Sequence, residues 1–355
     1  MRIWIDILSP KQLWMFTSLA QVLMARGHEV LLTSRRYEQL DRLLDTVFRD
    51  WSILRIGRWG GKSFEGKLKA SAERLLMLLD TVLEWRPDTA LSSGSIEAAR
   101  IAYGLRIPHL LVSDTPHSPV NRLSAPISHR VLTPWIIPKK EWIQAGAPPS
   151  HIRYYKALDP WFWLREFKPD KKVLEELGLE ENRYVLLRMP ETAAAYLTES
   201  DEEFLHKVSM LLEILDDLKL LILCRYGEQT KAAEKILGGD PRVLVVSRLL
   251  PGSSIIYFST LFLGGGGTMS QAAAILGVPA FSIYPGKLPT VLRFLSSRGL
   301  LKHYRNIGRM VEEVRKVLKR IDDVRKEWMR RAEKLRKLMK PPEEIVVREV
   351  ESLSG

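Results

Sequence analysis

Short apolar runs recur along this 355-residue chain, each leading into a polar or glycine-bearing loop and then into a segment with helical apolar spacing. That repeat constrains the fold more than any other feature. "RIWIDIL" is strand-like, "SPKQ" is a polar loop, and Leu13–Ala25 carries an apolar face before Gly27 ends it and "EVLLTS" begins. A short strand, a helix and a short strand in this order predict a right-handed parallel βαβ unit. The pattern continues through "WSILRIG", a helix over about Ser63–Trp85, "TALSS", a helix over Ile96–Tyr103, "IPHLLVSD" and "HRVLTP". Between Pro138 and Lys171 it gives way to Pro-, Trp- and Tyr-rich sequence that reads as a crossing between domains. A second alternation follows: "RYVLLRM", a helix over Glu202–Leu215, "LKLLILCR", a helix over Gln229–Leu237, "RVLVVS", "IIYFSTLFLG", a helix to Leu276, and "PAFSIY". The expected class is α/β, with two doubly wound Rossmann-like domains facing across a cleft. Residues 1–160 form the first domain and 161–310 the second, with basic helices over 311–355 packing across both.

Apolar content of 46% and charged content of 27% describe a globular chain. Its apolar runs reach about nine residues, short of the roughly 20 that span a bilayer. The strand-like start leaves no room for a signal peptide, and the single Cys224, after "LKLLIL", excludes a disulfide framework and a Cys-clustered zinc site. These features together lead us to expect a cytoplasmic protein. The formal charge of +12 is partly local, since residues 309–340 hold thirteen Lys/Arg against six Asp/Glu. Such a surface suits a solvated helix face or contact with anionic headgroups at the inner membrane surface. It lacks the interleaved aromatics of a nucleic-acid site, so nucleic acid is disfavoured as a partner.

Ligands of open parallel sheets bind beyond the carboxyl ends of the strands. The loops so placed are Ser9–Gln12, Arg58–Lys62, Ser92–Ser95, Asp114–Ser118, Arg188–Thr192 and Gly264–Thr268. In the last of these, Gly264, Gly265, Gly266 and Gly267 join an apolar run to a helix, offering free backbone N–H groups and a positive dipole end, with the Thr268 hydroxyl as a further donor. The spacing is neither a P-loop nor a G-x-G-x-x-G fingerprint, and a tight strand–helix turn explains the same letters. In "SDTPHS", Asp114 and His117 suit a general base and its neighbour, or simply a turn before Pro116. Arg188 and Arg225 close two strands of the second half, where guanidinium groups can meet phosphate. "RWGGKSFEGK" joins Gly60, Gly61 and Lys62 in a loop suited to an acceptor, alongside Ser9, Lys11 and Gln12.

In their order, "MRIWIDILSPKQ", "GRWGGKSFEGKLKAS", "SIEAARIAYGLRIPHLLVSDTPHS", "YVLLRMPETAAAY" and "LFLGGGGTMSQAAAILGVP" resemble a largely archaeal family of unknown function. That family looks like the GT-B glycosyltransferases, with two relatives in pattern. One adds N-acetylglucosamine to lipid-linked peptidoglycan precursors; the other is UDP-N-acetylglucosamine 2-epimerase. The resemblance implies metal-independent glycosyl transfer from a nucleotide-sugar, first among them a UDP-sugar. Its diphosphate would lie at Gly264–Thr268 with Arg188 and Lys287 as counter-charges, and Asp114 or His117 would deprotonate a lipid-linked or cell-surface acceptor. Two alternatives accompany this reading: a diverged, non-catalytic ligand-binding protein, and a sugar-nucleotide epimerase or hydrolase. The departures concern the donor site. Where the family pattern has a ribose-binding Glu, five residues before Gly277, this chain has Ala272, with Gln271 beside it as the substitute. The sugar-binding Asp-Gln pair is replaced by "YPGKLPT". The epimerase's "Gly-Asp-Thr" corresponds to Ser93–Ser95, and its second-domain His to Arg188.

Overall fold

The computed structural model describes residues 1–61, 63–190, 200–248, 250–284 and 286–353. Contacts divide the chain into two compact units, Met1–Arg165 with Met339–Gly355, and Glu166–Leu338. The segment expected as one terminal block, 311–355, is thereby split. Helices Ile307–Leu318 and Ile321–Leu338 belong to the second unit, and Pro342–Glu351 to the first.

The first unit is built on strands β1 (Arg2–Ile7), β2 (Glu29–Arg36), β3 (Ile53–Arg58), β4 (Thr89–Ser92), β5 (His109–Val112), β6 (Arg130–Pro134) and β7 (Ile152–Tyr155). They pair in the order β3-β2-β1-β4-β5-β6-β7, and every pairing is parallel. Strand order therefore reverses between β1 and β4, the position at which a crevice opens at the carboxyl edge of a doubly wound sheet. Trp4 anchors one face of this sheet. It is fully buried with Leu78 and Val82 of the Phe64–Trp85 helix and with Ala90, Ala98, Ile101 and Ala102.

Beside that apolar cluster lies a buried ionic one. Asp6, near the carboxyl end of β1, receives two hydrogen bonds from Arg74 (2.6 and 2.9 Å), one from Thr33 (2.7 Å) and one from Ser95 (2.6 Å). Trp4 Nε1 donates to the same Thr33 hydroxyl at 2.8 Å, and Arg74 Nε donates to the Ile56 carbonyl at 2.9 Å. Although burial opposes its charge, the Arg74 guanidinium together with the Ser95 and Thr33 donors holds the Asp6 carboxyl below its ordinary pKa. Opposite this helix, Gly57 adopts a positive φ of 72°, and a Cβ there would fall 2.7 Å from Arg74 Cγ. Only glycine lets the Arg74 stem pass so close to β3.

The second unit repeats the plan with β8 (Tyr184–Arg188), β9 (Lys219–Leu223), β10 (Val243–Val246), β11 (Leu261–Gly264), β12 (Ala280–Ser282) and β13 (Lys302–His303). The order β10-β9-β8-β11-β12-β13 is again all parallel. Cys224, at the end of β9, is buried, and burial pushes its thiol up to about 11, as befits a structural thiol.

The structure departs from the sequence reading in three places. The apolar run expected as one strand from Ile255 divides into a helix, Gly252–Phe258, and the short strand β11. Short apolar runs do not carry their own period, and Ser259–Thr260 provide the break. The helix expected over Glu202–Leu215 ends at Val208 and tightens into a 3₁₀ turn at Ser209–Leu211. The aromatic crossing segment contains β7 and short helices, so the first sheet runs one strand further than the pattern suggests.

Replacing Asp6 by Leu should lower unfolding stability by about 3–5 kcal/mol in urea titrations, because Arg74 stays buried without its carboxylate. The double change Asp6→Leu/Arg74→Met should recover most of that loss. Equal losses in the two variants would show that the ion pair is not the coupled unit.

Candidate functional site

At the carboxyl edge of the first sheet, Ser9 caps the Pro10–Ala25 helix, its hydroxyl accepting from the Gln12 N–H at 3.4 Å. The Gln12 side chain accepts from the Leu8 N–H (2.6 Å) and donates to the Ser93 carbonyl (2.7 Å), tying the loop after β1 to the loop after β4. Lys11 turns the other way. Its ammonium lies 2.6 Å from Asp114 Oδ1, in the loop after β5, and 2.6 Å from Asp159 Oδ2, just past β7. The Tyr155 hydroxyl donates to Asp159 Oδ1 at 2.5 Å.

This is one ammonium between two carboxylates in a dry setting, since Asp114 and Asp159 are both buried. Burial, reinforced by the Asp114 charge, pushes Asp159 up to about 6, while Lys11 and Tyr155 pull the other way. The same carboxylates hold Lys11 charged above its ordinary range despite burial. Asp159 escaped the sequence reading; a lone acid in the aromatic stretch before Pro160 was the available signal. The structure thus brings Lys11 and Asp114 together, whereas His117 lies exposed in the same turn.

Gly60 and Gly61 stand apart from that cluster, at the end of β3. A Cβ on Gly60 would fall 2.3 Å from the Gly66 carbonyl oxygen, and Gly61 has φ 79°, so both glycines are explained by how the loop enters the Phe64–Trp85 helix. Lys62 lies outside the described residues.

In the second unit the glycine run separates into four environments. Gly264 ends β11, where a Cβ would fall 2.7 Å from the Phe262 ring. At Gly265 a Cβ would lie 3.0 Å from Pro190. Gly266 is the N-cap of the Gly267–Leu276 helix in extended conformation, and as a glycine it has no side chain to cap that helix. Around Gly266 and Gly267 the protein leaves room. Among the described residues their Cβ positions meet only Arg225 Nη2 at 3.5 Å and Gln271 Nε2 at 4.0 Å, which are ordinary contacts. Packing therefore forbids a side chain at Gly264 and crowds one at Gly265, while at the helix start the described residues leave space for one. The first turn of a helix carries N–H groups with no intrahelical partner, and the N-cap glycine has no side chain to accept from them.

Arg188 stands beside this loop, its Cβ 3.5 Å from the Cβ position of Gly264 and its Nη1 bonded to the Cys224 carbonyl at 2.9 Å. The Arg225 N–H donates to Gln229 Oε1 (2.9 Å), and Gln229 in turn donates to the Pro190 carbonyl and Asp201 (both 3.0 Å). Gln271 and Ala272 are buried on the helix. Thr268 occupies the helix's first turn, partly exposed, and Lys287 is exposed in the loop after β12. Arg188, Arg225, Gln271 and the glycines thus form one cluster at the carboxyl edge of β8, β9 and β11. Residues 191 and 192 of the predicted β8 loop lie outside the described residues. Among the described residues no group of three or more His, Cys, Asp or Glu could hold a metal ion.

Two successive all-parallel α/β units of this strand order define a GT-B-like fold, and solved structures share it. UDP-GlcNAc 2-epimerase from Neisseria meningitidis, bound to UDP-GlcNAc, superposes with a TM-score of 0.77 at 15% identity, covering 99% of this chain and 100% of that one. The spinosyn rhamnosyltransferase SpnG, complexed with spinosyn aglycone, superposes with a TM-score of 0.63 at 15% identity over 99% and 100%. The chain belongs to the DUF354 family, described as a protein of unknown function, whose model matches residues 1–347. The uncharacterized protein MJ0665 of Methanocaldococcus jannaschii is 25% identical over 317 residues, covering 88% of this chain and 90% of that protein.

Because the folded-state value of Asp159 is raised from 3.8 to about 6, ionising it in place opposes folding. The penalty is absent below pH 4, grows between pH 4 and 6, and is constant above. Wild-type urea stability should therefore fall across that window relative to Asp159→Asn. Parallel profiles for the two proteins would show that Asp159 is not held protonated.

Proposed function

We propose that this chain is a nucleotide-sugar-dependent transferase of GT-B type, metal-independent, with a UDP-sugar as donor. One observation carries the reading: the start of the Gly267–Leu276 helix, where no contact among the described residues explains Gly266 and Gly267. A diphosphate fits such a place, because the N–H groups and the helix dipole favour an anion and glycine lets it approach the backbone. Arg225 and Arg188 supply counter-charge, with Lys287 in the adjoining loop and Thr268 as a hydroxyl donor. The UDP-GlcNAc bound by the Neisseria epimerase favours uridine over other bases.

In this reading the acceptor hydroxyl attacks the anomeric carbon as the bond to the diphosphate breaks. The leaving charge passes to the helix N-terminus and the arginines. The acceptor belongs to the first unit, where Asp114 takes the hydroxyl proton and the Lys11–Asp159 pair fixes its carboxylate. A lipid-linked acceptor would place the protein at a membrane surface as a peripheral component. Among the described residues no helix is long and apolar enough to cross a membrane.

A second reading, a diverged binding protein, is favoured by Ala272. Its methyl group accepts no hydrogen bond from a ribose, which leaves that contact to Gln271. Epimerisation or hydrolysis is a third outcome, separable by incubating UDP-GlcNAc without acceptor and analysing the products.

Calorimetric titration with UDP-, GDP- and CDP-sugars should show preferred binding of the uridine series. Gly266→Asp should weaken that binding at least about tenfold, since it places a carboxylate in the anion's position. The same change should leave urea stability equal or higher, because Asp is a favoured N-cap. Failure of every nucleotide-sugar to bind would overturn the reading.

A further inference from the structure

The Phe64–Trp85 helix faces the first unit with Ala70, Arg74, Leu78 and Val82, which are buried. A surface helix of this kind ordinarily turns polar residues outward. Here the outer side is apolar. Leu68, Leu76 and Leu83 are 72%, 64% and 51% exposed, with Ala72 exposed between them. Leu75 and Leu79 lie half-buried along the same line, and the exposed Phe64 continues it one turn earlier. Residues three and four positions apart share a helix face, so these side chains form one stripe along a helix of 22 residues. Exposed leucines scattered singly are ordinary, whereas a continuous stripe of them marks a surface that something covers.

The stripe reads the same in both directions. About a midpoint between Leu75 and Leu76, the position that mirrors Leu68 is Leu83, and the position that mirrors Ala72 is Leu79. Two copies of the helix laid antiparallel across a two-fold axis at that midpoint therefore set leucine against leucine near the ends. The small Ala72 then meets the larger Leu79, and Leu75 and Leu76 meet at the axis. Such a patch is self-complementary, as an isologous contact requires.

The charges beside the stripe select the antiparallel direction. Lys69 and Asp80, eleven residues apart, lie on one flank about three turns from each other. Across a two-fold axis each flank meets the same flank of the other copy, so Lys69 of each comes beside Asp80 of the other. A parallel pair would set Lys69 against Lys69 and Asp80 against Asp80. Within the chain Glu65 pairs with Lys69 and Glu73 with Arg58, whereas Asp80 has no ion-pair partner among the described residues. The helix carries Glu65, Glu73, Asp80 and Glu84 against Lys67, Lys69 and the buried Arg74. That excess of acid on a chain of net charge +12 suits a second protein surface better than anionic lipid headgroups.

We propose that this stripe is a self-association surface, and that two copies of the protein form a two-fold dimer through antiparallel packing of their Phe64–Trp85 helices. The proposal does not rest on the transferase reading.

The test is sedimentation of the full chain over roughly 1–100 μM, a range in which mass action reveals a monomer–dimer equilibrium. Leu76→Glu should weaken dimerisation at least about tenfold, because it brings carboxylates together at the axis. Lys69→Glu and Asp80→Lys should each weaken it by a smaller factor, and the double change Lys69→Glu/Asp80→Lys should restore it. Leu123→Glu, at an exposed leucine on another helix of the same unit, should change nothing. Cross-linking reads the direction: under mild oxidation a mixture of Leu68→Cys and Leu83→Cys proteins should form a disulfide-linked pair, and Leu68→Cys alone should not. Matching circular dichroism and urea midpoints show that the variants are folded. A monomer at every concentration, a dimer indifferent to Leu76→Glu, or self-linking of Leu68→Cys in preference to the mixture would each overturn the proposal. So would a monomer that floats with phosphatidylglycerol vesicles and loses that binding in Leu76→Glu, since the stripe would then serve a membrane.

Discussion

The buried Asp6–Arg74 pair holds the first unit in one register. Its hydrogen bonds reach β1, β2 through Thr33, β3 through the Ile56 carbonyl, the loop after β4 through Ser95, and the long helix that carries Arg74. A buried ion pair is weak evidence for stability, because desolvating two charges costs several kcal/mol per ion. What it supplies is specificity. A shift of β2 against β1 would remove Thr33 from Asp6, and a shift of the helix would strand a guanidinium in apolar surroundings. The bulge at Gly57 exists where the Arg74 stem crosses the strand, so the irregular end of β3 is a consequence of the pair.

Much of the architecture was legible because parallel strands buried on both faces write themselves as short apolar runs. "RIWIDIL", "LKLLILCR" and "HRVLTP" became strands where their letters placed them. The run from Ile255 was not legible in the same way, since seven apolar residues broken by Ser259–Thr260 fit a helix turn and a strand equally well. β7 was hidden because "IRYY" follows a Pro-rich turn and carries an arginine that pairs with Glu349, near the other end of the chain. Long-range partners of this kind leave no local trace. The same applies to Asp6 and Arg74, 68 positions apart: the sequence displays each charge but not what neutralises it.

The basic helix shows the opposite error, in which visible charge suggests a surface that structure partly consumes. Arg325 donates to the Ser259 and Thr260 carbonyls, Arg331 to Gly299, and Arg336 to Ile275. These arginines satisfy carbonyls at the ends of neighbouring elements, while Trp328 is buried between them. At Gly277, which has φ 78° and a Cβ position 2.9 Å from Met329 Sδ, the same helix comes as close as the backbone permits. The glycine of "G-V-P" is thus fixed by packing. Part of the charge surplus is an internal capping system, and only the remainder faces solvent.

The glycine run is best understood through the same distinction between what packing requires and what it leaves unexplained. Four identical letters hide two kinds of constraint: Gly264 and Gly265 answer to Phe262 and Pro190, while Gly266 and Gly267 answer to no close contact among the described residues. At the other sheet the carboxyl edge is organised differently. There Lys11 is clamped between two buried carboxylates and offers no free cation, whereas Arg35 keeps a buried donor without an acceptor among the described residues. Each unit therefore repeats one contrast on its own sheet. Close to a reversal of strand order or a strand bulge, most polar groups are internally satisfied, and the few that are not mark where a ligand can supply what the chain omits. That residue, left after packing and ion pairs are accounted for, is a sharper guide to function than any motif read alone.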